Sequence, residues 1–452
     1  MAPLLPTTTR TLLARTARVQ AEGRAPSLVA GVVRDGELVW SAGRGAVSEP
    51  HRDVQYRLGS ISKTITAITV LRLRDEGRLD LDDPLEKHLT GTPFGDRTIG
   101  QLLSHLAGAG AESPGQWWER TPGTTLDELG LSEADVVLPA ARRFHYSNLG
   151  FGVLGELVAT ARGRAWAEVA RDEVLVPLGM RRTTPRPSGR AAQGYAVHPW
   201  ADVVQVEPEH DAVAMAPAGQ LWATADDLAR LGVFLLGDTG GVLSPDTVEE
   251  MTVPAGVDSS APAWMAYGLG VQVQRPPDAP VGTVLVGHGG SMPGFLAGLW
   301  VDRTEGTGAL MLANTTSGLD NGLAAGLLAD VRAAEPRIAA AWAPSPPPVP
   351  VELLGPWFWG PAPYVLRAVP GGLLHLGGLG RPGRSSRFRP GPDGTWVGMD
   401  GYFAGETLRL DEVALNLATF VFTRTPYDGN APVPGGVAED GWTPAPQRAP
   451  ER

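Results

Sequence analysis

The chain contains no cysteine. Disulfide frameworks, thiolate nucleophiles and cysteine-ligated zinc are therefore excluded, and a reducing compartment, the cytoplasm, is the expected location. Lysine is almost absent as well: Lys63 and Lys87 stand against 36 arginines. Positive charge is short overall, and a net charge of −11 leaves no electrostatic footprint for a nucleic-acid partner. Residues 1 to 20 hold Pro3, Pro6, Arg10, Arg15 and Arg18 in place of a basic start followed by an apolar core, so no signal peptide is expected. The longest charge-free apolar stretch, Val284 to Val301, is interrupted by Gly287, Gly289, Gly290, Pro293 and Gly294, which speaks against a membrane span. The eight histidines show no H-E-x-x-H or similar spacing, so neither a metal nor another cofactor is expected.

What is present suits a globular protein. The 452 residues are 43% apolar and 19% charged, enough for more than one domain with a real core. Alanine, glycine, proline and arginine are abundant, the usage of a GC-rich bacterial genome. Thr9 to Ala21 carries the spacing of an amphipathic helix. Ser27 to Arg34 and Glu37 to Ala42 are apolar runs joined by Asp35-Gly36, a strong hairpin signal. Helices are expected over Ile61 to Glu76, Thr98 to Leu106, Gly150 to Ala161, Ala165 to Val176 and Thr224 to Leu236. Thr283 to Val286, Phe295 to Val301 and Gly308 to Asn314 read as strands separated by glycine turns, joining the hairpin in one antiparallel sheet. The order of elements is α+β, without a repeated βαβ rhythm.

Composition divides the chain further. Residues 1–338 form the expected first domain, and the proline-rich 339–350 a stiff linker. Residues 351–427 hold short strand-like runs, Tyr364 to Val369, Leu373 to Leu376, Ser386 to Arg389, Thr395 to Gly398, Leu408 to Asp411 and Thr419 to Arg424. They read as a small all-β domain, a meander or barrel. Residues 428–452 read as a disordered tail.

The chemistry gathers around Ser60-Ile61-Ser62-Lys63. Arginine keeps its proton in a protein, whereas a lysine gives it up when buried. One of the two lysines lies three residues after a serine, and positions i and i+3 share a helix face. That spacing lets an amine serve as base for a hydroxyl nucleophile. Alone it is a weak signal, and a surface lysine in an ordinary first turn would also produce it. The arrangement also has a cost, since lowering a lysine from near 10.4 to about 7 takes roughly 4–5 kcal/mol of desolvation and neighbouring charge.

Two further stretches add to it. Tyr146-Ser147-Asn148 precedes a glycine-rich helix start; the tyrosine can exchange a proton with a leaving group or water, and the asparagine can hold both lysine and substrate. His288-Gly289-Gly290 follows an apolar run, where glycine allows close approach of a substrate backbone to a strand edge. The amide of Ser291 could complete an oxyanion hole with that of Ser60, although a tight turn between strands with an incidental histidine would give the same run.

In the order Ser-x-x-Lys, Tyr-x-Asn, His-x-Gly the chain resembles the serine β-lactamase and penicillin-binding-protein superfamily, in its class C β-lactamase, D-aminopeptidase and family VIII esterase branch. Gln101-Leu102-Leu103-Ser104-His105 and Pro177-Leu178-Gly179-Met180 are similar to local runs of that branch. The resemblance covers about residues 10 to 335. The C-terminal domain resembles the lipocalin-like appendages of some members more loosely.

The resemblance implies a β-lactamase/transpeptidase-like fold, an antiparallel sheet flanked by helices plus a helical lobe. It implies Ser60 as nucleophile, Lys63 as general base and Tyr146 as proton relay. Asn148, His288, Gly289, Gly290 and Ser291 would bind substrate and oxyanion. Two positions depart from the pattern. His288 stands where β-lactamases and D,D-peptidases usually have lysine, and a histidine is mostly neutral at pH 7. Leu106-Ala107 stands where Thr-Ser usually continues the run, with no functional account.

The expected activity is metal-free serine hydrolysis of a small ester or amide through an acyl-enzyme. A β-lactamase or D-amino-acid peptidase, and a non-catalytic penicillin-binding-type protein, are the alternatives. The expected partner is a small molecule, with no nucleic acid or membrane. Homodimerisation is one of three open roles for the C-terminal domain, beside shielding the site and packing alongside. Other signals carry less. Gly378 to Gly383 matches a dinucleotide fingerprint but contains Pro382 and precedes no helix. No G-x-S-x-G elbow exists, which rejects an α/β-hydrolase. His198 and His210 lie among acids and prolines, and Trp117-Trp118 suits packing as well as a pocket wall.

Overall fold

A computed structural model describes residues 3–259, 265–276, 279–280, 282–319, 322–338, 341–380, 383–411 and 414–426. The expected tail, 428–452, lies outside the described residues. The chain divides into two compact units, residues 1–338 and 339–452.

The first unit is built on the Asp35-Gly36 hairpin. Asp35 has φ 52° and Gly36 φ 78°, the left-handed pair that a tight two-residue turn requires. It joins β1 (Ser27–Arg34) to β2 (Glu37–Gly45). The sheet is completed by β3 (Gly256–Asp258), β4 (Met265–Tyr267), β5 (Gln272–Gln274), β6 (Leu285–Met292), β7 (Phe295–Asp302) and β8 (Thr307–Ala313). All neighbours are antiparallel, in the order β2-β1-β8-β7-β6-β5-β4-β3.

Helices cover both faces, which explains why β1 reads as a continuous apolar run instead of alternating. Leu28, Ala30 and Val32 join a core with helix α1 (Pro6–Glu22) and a C-terminal helix over Leu323–Ala334. Val29 and Val33, on the other face, belong to the large core shared with the helical lobe. That lobe surrounds α2 (Ser62–Asp75), whose residues from Ser62 to Leu71 are all buried. Its threonines are satisfied internally: Thr64 Oγ1 donates to Gly270 O at 2.9 Å and Thr66 Oγ1 to Pro217 O at 2.9 Å.

Several expected boundaries move. The helix expected from Ile61 begins at Ser62, after a 3₁₀ turn over Gly59–Ile61. The helix α3 spans only Ile99–Leu103, capped by Thr98, because His105 adopts φ 58° soon after. The helix α4 spans Asn148–Arg162, with Ser147 Oγ accepting from the Gly150 amide at 2.8 Å. The helix expected over Ala165 to Val176 is broken into Trp166–Ala170 and a wider π turn over Arg171–Leu175. The expected glycine turn after Val286 is absent: β6 carries Gly287 to Gly290 within the strand, and the chain turns at Pro293-Gly294.

The second unit is a closed antiparallel barrel of eight strands: β9 (Gly355–Trp359), β10 (Ala362–Val369), β11 (Leu373–Gly378), β12 (Ser386–Pro390), β13 (Trp396–Gly398), β14 (Thr407–Leu410), β15 (Ala414–Leu417) and β16 (Phe420–Thr423). Trp357, Leu366, Leu376, Phe388, Leu415 and Phe422 are buried in its core, so side chains fill this barrel as they do other small ones. β9 had no expectation attached, because Pro356 disguises it.

Candidate functional site

The serine and lysine lie on one short stretch. Ser60 lies in the 3₁₀ turn Gly59–Ile61 and Lys63 in the first turn of α2, so the two, three residues apart, share one face. This brings Lys63 Nζ within 3.0 Å of Ser60 Oγ. Lys63 is fully buried, and its other two hydrogen bonds run to Asn148 Oδ1 at 2.6 Å and Ala218 O at 2.8 Å. Both partners are oxygens that only accept. A neutral amine has two N–H bonds and one lone pair, so these two carbonyls use its protons and leave the lone pair facing Ser60. Burial pulls the lysine down to about 7, against the opposing pull of Glu112 and Glu119.

The second wall is the segment entering α4. Tyr146 has its ring 4.9 Å from Lys63 Nζ and its hydroxyl hydrogen-bonded to Ser60. Burial raises its pKa, with Glu112 and Glu119 adding to the effect. It therefore keeps its proton at neutral pH and is a phenol, not a phenolate. Asn148 opens α4, and its amide nitrogen donates to both oxygens of Glu112, at 2.9 and 3.0 Å. Trp118 Nε1 also donates to Glu112, at 2.6 Å. His105 holds this segment from behind, accepting the Ser147 amide on Nδ1 at 3.0 Å. Its ring lies 4.3 Å from that of Tyr146, and burial drives its pKa well below the usual value.

Strand β6 forms the third wall. A Cβ on Gly290 would overlap the carbonyl oxygen of Leu58, and one on Gly59 would meet the backbone of Ser291. The strand thus lies directly against the Ser60 turn because both positions lack side chains. Gly289 is different, since a Cβ there meets only Gln272 Oε1, at 3.9 Å. Backbone amides alternate sides along an antiparallel strand. Gly289 N points away from β7 and donates to Gln272 Oε1 at 3.1 Å. Ser291, two residues on, turns its amide to the same side, beyond the point where pairing with β5 ends at Gly287.

His288 faces into the wall. Its Nδ1 lies 2.5 Å from the Gly289 carbonyl and its Nε2 2.8 Å from the Tyr267 hydroxyl. A carbonyl only accepts, so Nδ1 carries the proton and Nε2 receives that of Tyr267. Burial, with Lys63 nearby, pulls His288 down to about 3, so the ring is neutral across the working range.

The structure therefore brings Ser60, Lys63, Tyr146, Asn148, Gly290 and Ser291 around one point. Gly289 lies beside them with its amide engaged, and His288 lies behind them. Glu112, Ala218, Tyr267 and Gln272 join the site without any sequence signal. His105 had one, in the run Gln101 to His105. A cavity of about 930 Å³ lined by Arg34, Val233, Glu305, Arg332 and Glu335 contains none of these groups, so volume does not locate the chemistry. No group of three or more metal-ligating side chains and no helix long and apolar enough to cross a membrane occurs among the described residues.

Comparison with known proteins points to the same stretch of chain. The family model described as Beta-lactamase matches residues 13–334, and a second, described as a domain of unknown function (DUF7586), matches residues 346–424. Putative beta-lactamase-like 1 of Homo sapiens is 32% identical over 256 residues, which cover 49% of this chain and 49% of that protein. Esterase EstB of Burkholderia gladioli is 27% identical over 355 residues, covering 65% of this chain and 87% of its own. The chain spans about half the length of several of its curated relatives. Among solved structures, the octameric penicillin-binding protein homologue from Pyrococcus abyssi superposes with a TM-score of 0.62 at 21% identity, covering 93% of this chain and 100% of that one. At that identity the likeness is one of fold.

Proposed function

Since the chain belongs to the beta-lactamase family, we propose that it is a serine hydrolase that acts through an acyl-enzyme on Ser60. The observation that carries this reading is the Lys63 amine, with two carbonyl acceptors and its third contact on the nucleophile. Ser60 Oγ attacks the substrate carbonyl carbon as its proton passes to Lys63 Nζ. The tetrahedral oxyanion is received by the amides of Ser60 and Ser291. The proton then travels by way of Tyr146 to the leaving group, which departs and leaves the acyl group on Ser60. Water, losing its proton toward Tyr146 and Lys63, attacks the ester, and Ser60 Oγ leaves and regains a proton.

The substrate class follows from His288. A neutral ring with both nitrogens engaged offers no cation to a substrate carboxylate. This supports a small ester or uncharged amide ahead of a β-lactam or a D,D-peptide, and the likeness to a protein described as an esterase adds to it. Freedom from cysteine supports a cytoplasmic site of action, and residue usage supports a bacterial source.

Intact-mass measurement after exposure to a fluorophosphonate, a penicillin and activated esters tests the reading. One covalent adduct is expected on the wild-type chain and none on Ser60→Ala. A short-chain p-nitrophenyl ester is expected to turn over faster than a chromogenic cephalosporin. The reverse preference would make the protein a β-lactamase or D,D-peptidase. A chain that forms no adduct with any probe would be a non-catalytic member.

A further inference from the structure

An asparagine amide is nearly symmetric in shape, and only its partners decide which end faces which way. Asn148 presents Oδ1 to Lys63 at 2.6 Å. Its other end donates to both oxygens of Glu112. A carboxylate accepts only, so turning the amide over would set carbonyl against carboxylate and nitrogen against the amine. Glu112 is itself held by Trp118 Nε1 at 2.6 Å, and the Trp118 ring packs beside Gly219, next to the Ala218 carbonyl that Lys63 also uses. The donors that fix Glu112 are thus neutral, and its charge is not consumed by them.

We propose that Glu112 is a positioning residue for the reaction: it fixes the polarity of the Asn148 amide and sets a negative charge one side chain away from Lys63. The inference rests on reading Lys63 as the base of Ser60. The groups that face the lysine are Ser60 on the 3₁₀ turn before it, Tyr146, Asn148 and Phe151 at and just before the start of α4, His105 after α3, Glu112 and Glu119 on the segment between α3 and α4, the Ala218 carbonyl, and His288 on β6. Tyr146, His105 and His288 are uncharged at neutral pH. The carboxylates are therefore the charges that favour the protonated amine, opposing its burial.

The presence of only two lysines makes the test direct. Protein labelled with ¹³Cε-lysine gives two signals, and their pH titrations are compared in wild type, Glu112→Gln and Glu112→Ala. The Lys63 midpoint is expected to fall by roughly half a pH unit in both variants, while the Lys87 curve stays where it is. The kcat/KM for an ester is expected to fall about tenfold in Glu112→Ala, with Glu112→Gln recovering most of the loss because its carbonyl still accepts from Asn148. A Lys63 curve unmoved in both variants, or a Glu112→Ala enzyme within twofold of wild type, would overturn the proposal. If Glu112→Ala does not fold, Glu112→Gln decides by its Lys63 curve. If the wild type forms no adduct and hydrolyses nothing, the proposed function fails and the role in the reaction with it, while the lysine titration still decides whether Glu112 acts on Lys63.

Discussion

Lys63 and Lys87 are the same residue in two surroundings. Lys87 lies in a 3₁₀ turn with its side chain 59% exposed and its ammonium 2.6 Å from Asp83. Water and a carboxylate both stabilise its charge. Lys63 is 0% exposed and touches two carbonyls and a hydroxyl but no carboxylate. An ammonium there has lost its hydration without gaining an ion pair, which is the arrangement that makes an amine neutral. The difference teaches that the charge of a lysine is set less by what it touches than by what has been withheld from it.

The comparison can be broken most severely at the side chains themselves. Lys63→Met is expected to lower ester kcat/KM by about 10⁴-fold, as removal of a general base for a serine nucleophile does. Lys87→Met should remain within about twofold of wild type. Next in size is the strand wall. Gly290→Ala forces β6 off the Ser60 turn and should cost about 10²-fold in kcat/KM, whereas Gly289→Ala, with open space at its Cβ, should cost less than about threefold. Steady-state kinetics on the four variants checks both pairs.

The fold was legible where local chemistry dictates it. Asp35-Gly36 announced its hairpin, and the three motifs announced a family resemblance that the family model bears out. It was illegible where tertiary contact overrides local signals. Gly287, Gly289 and Gly290 look like a turn, yet lie inside β6 because the Leu58 and Leu299 backbones press against it. The strands Gly256–Asp258, Met265–Tyr267 and Gln272–Gln274 are too short to show a period. Leu323–Ala334 carries no expectation, although Leu323, Leu327, Leu328 and Val331 have helical spacing.

The same limit holds at the site. Ser60 and Lys63 are neighbours in sequence and can be read together. Glu112 is one of 49 acidic residues, and only the folded chain sets it behind Asn148. The carbonyl of Ala218 has no letter of its own. His288 is expected to bind substrate, but its hydrogen bond with Tyr267 could not be read from either residue alone.

A subtler sharpening lies in pH and stability. A base that is active when neutral should give a kcat/KM that falls about tenfold per pH unit below 7 and is flat above, as a pH–rate profile would show. Stability moves with the same proton. The lysine's folded value, about 7, lies below its unfolded value near 10.4. The unfolded chain therefore binds the extra proton between the two, and this residue's contribution to stability rises with pH across that window. Below pH 7 the lysine is charged in both states and its burial penalty is complete. Lys63→Met should accordingly be more stable than wild type at pH 6, by about 2 kcal/mol once the two stranded carbonyls are allowed for, and the advantage should shrink toward pH 10 in urea titrations. Lys87→Met should show the smallest change of all.

The most direct measurement is the titration of the Lys63 ¹³Cε signal in the wild-type protein, with Lys87 as internal reference. A midpoint near 7 is predicted. A midpoint near the ordinary 10.4 would mean a charged amine beside Ser60 and would contradict the account of how the serine is activated.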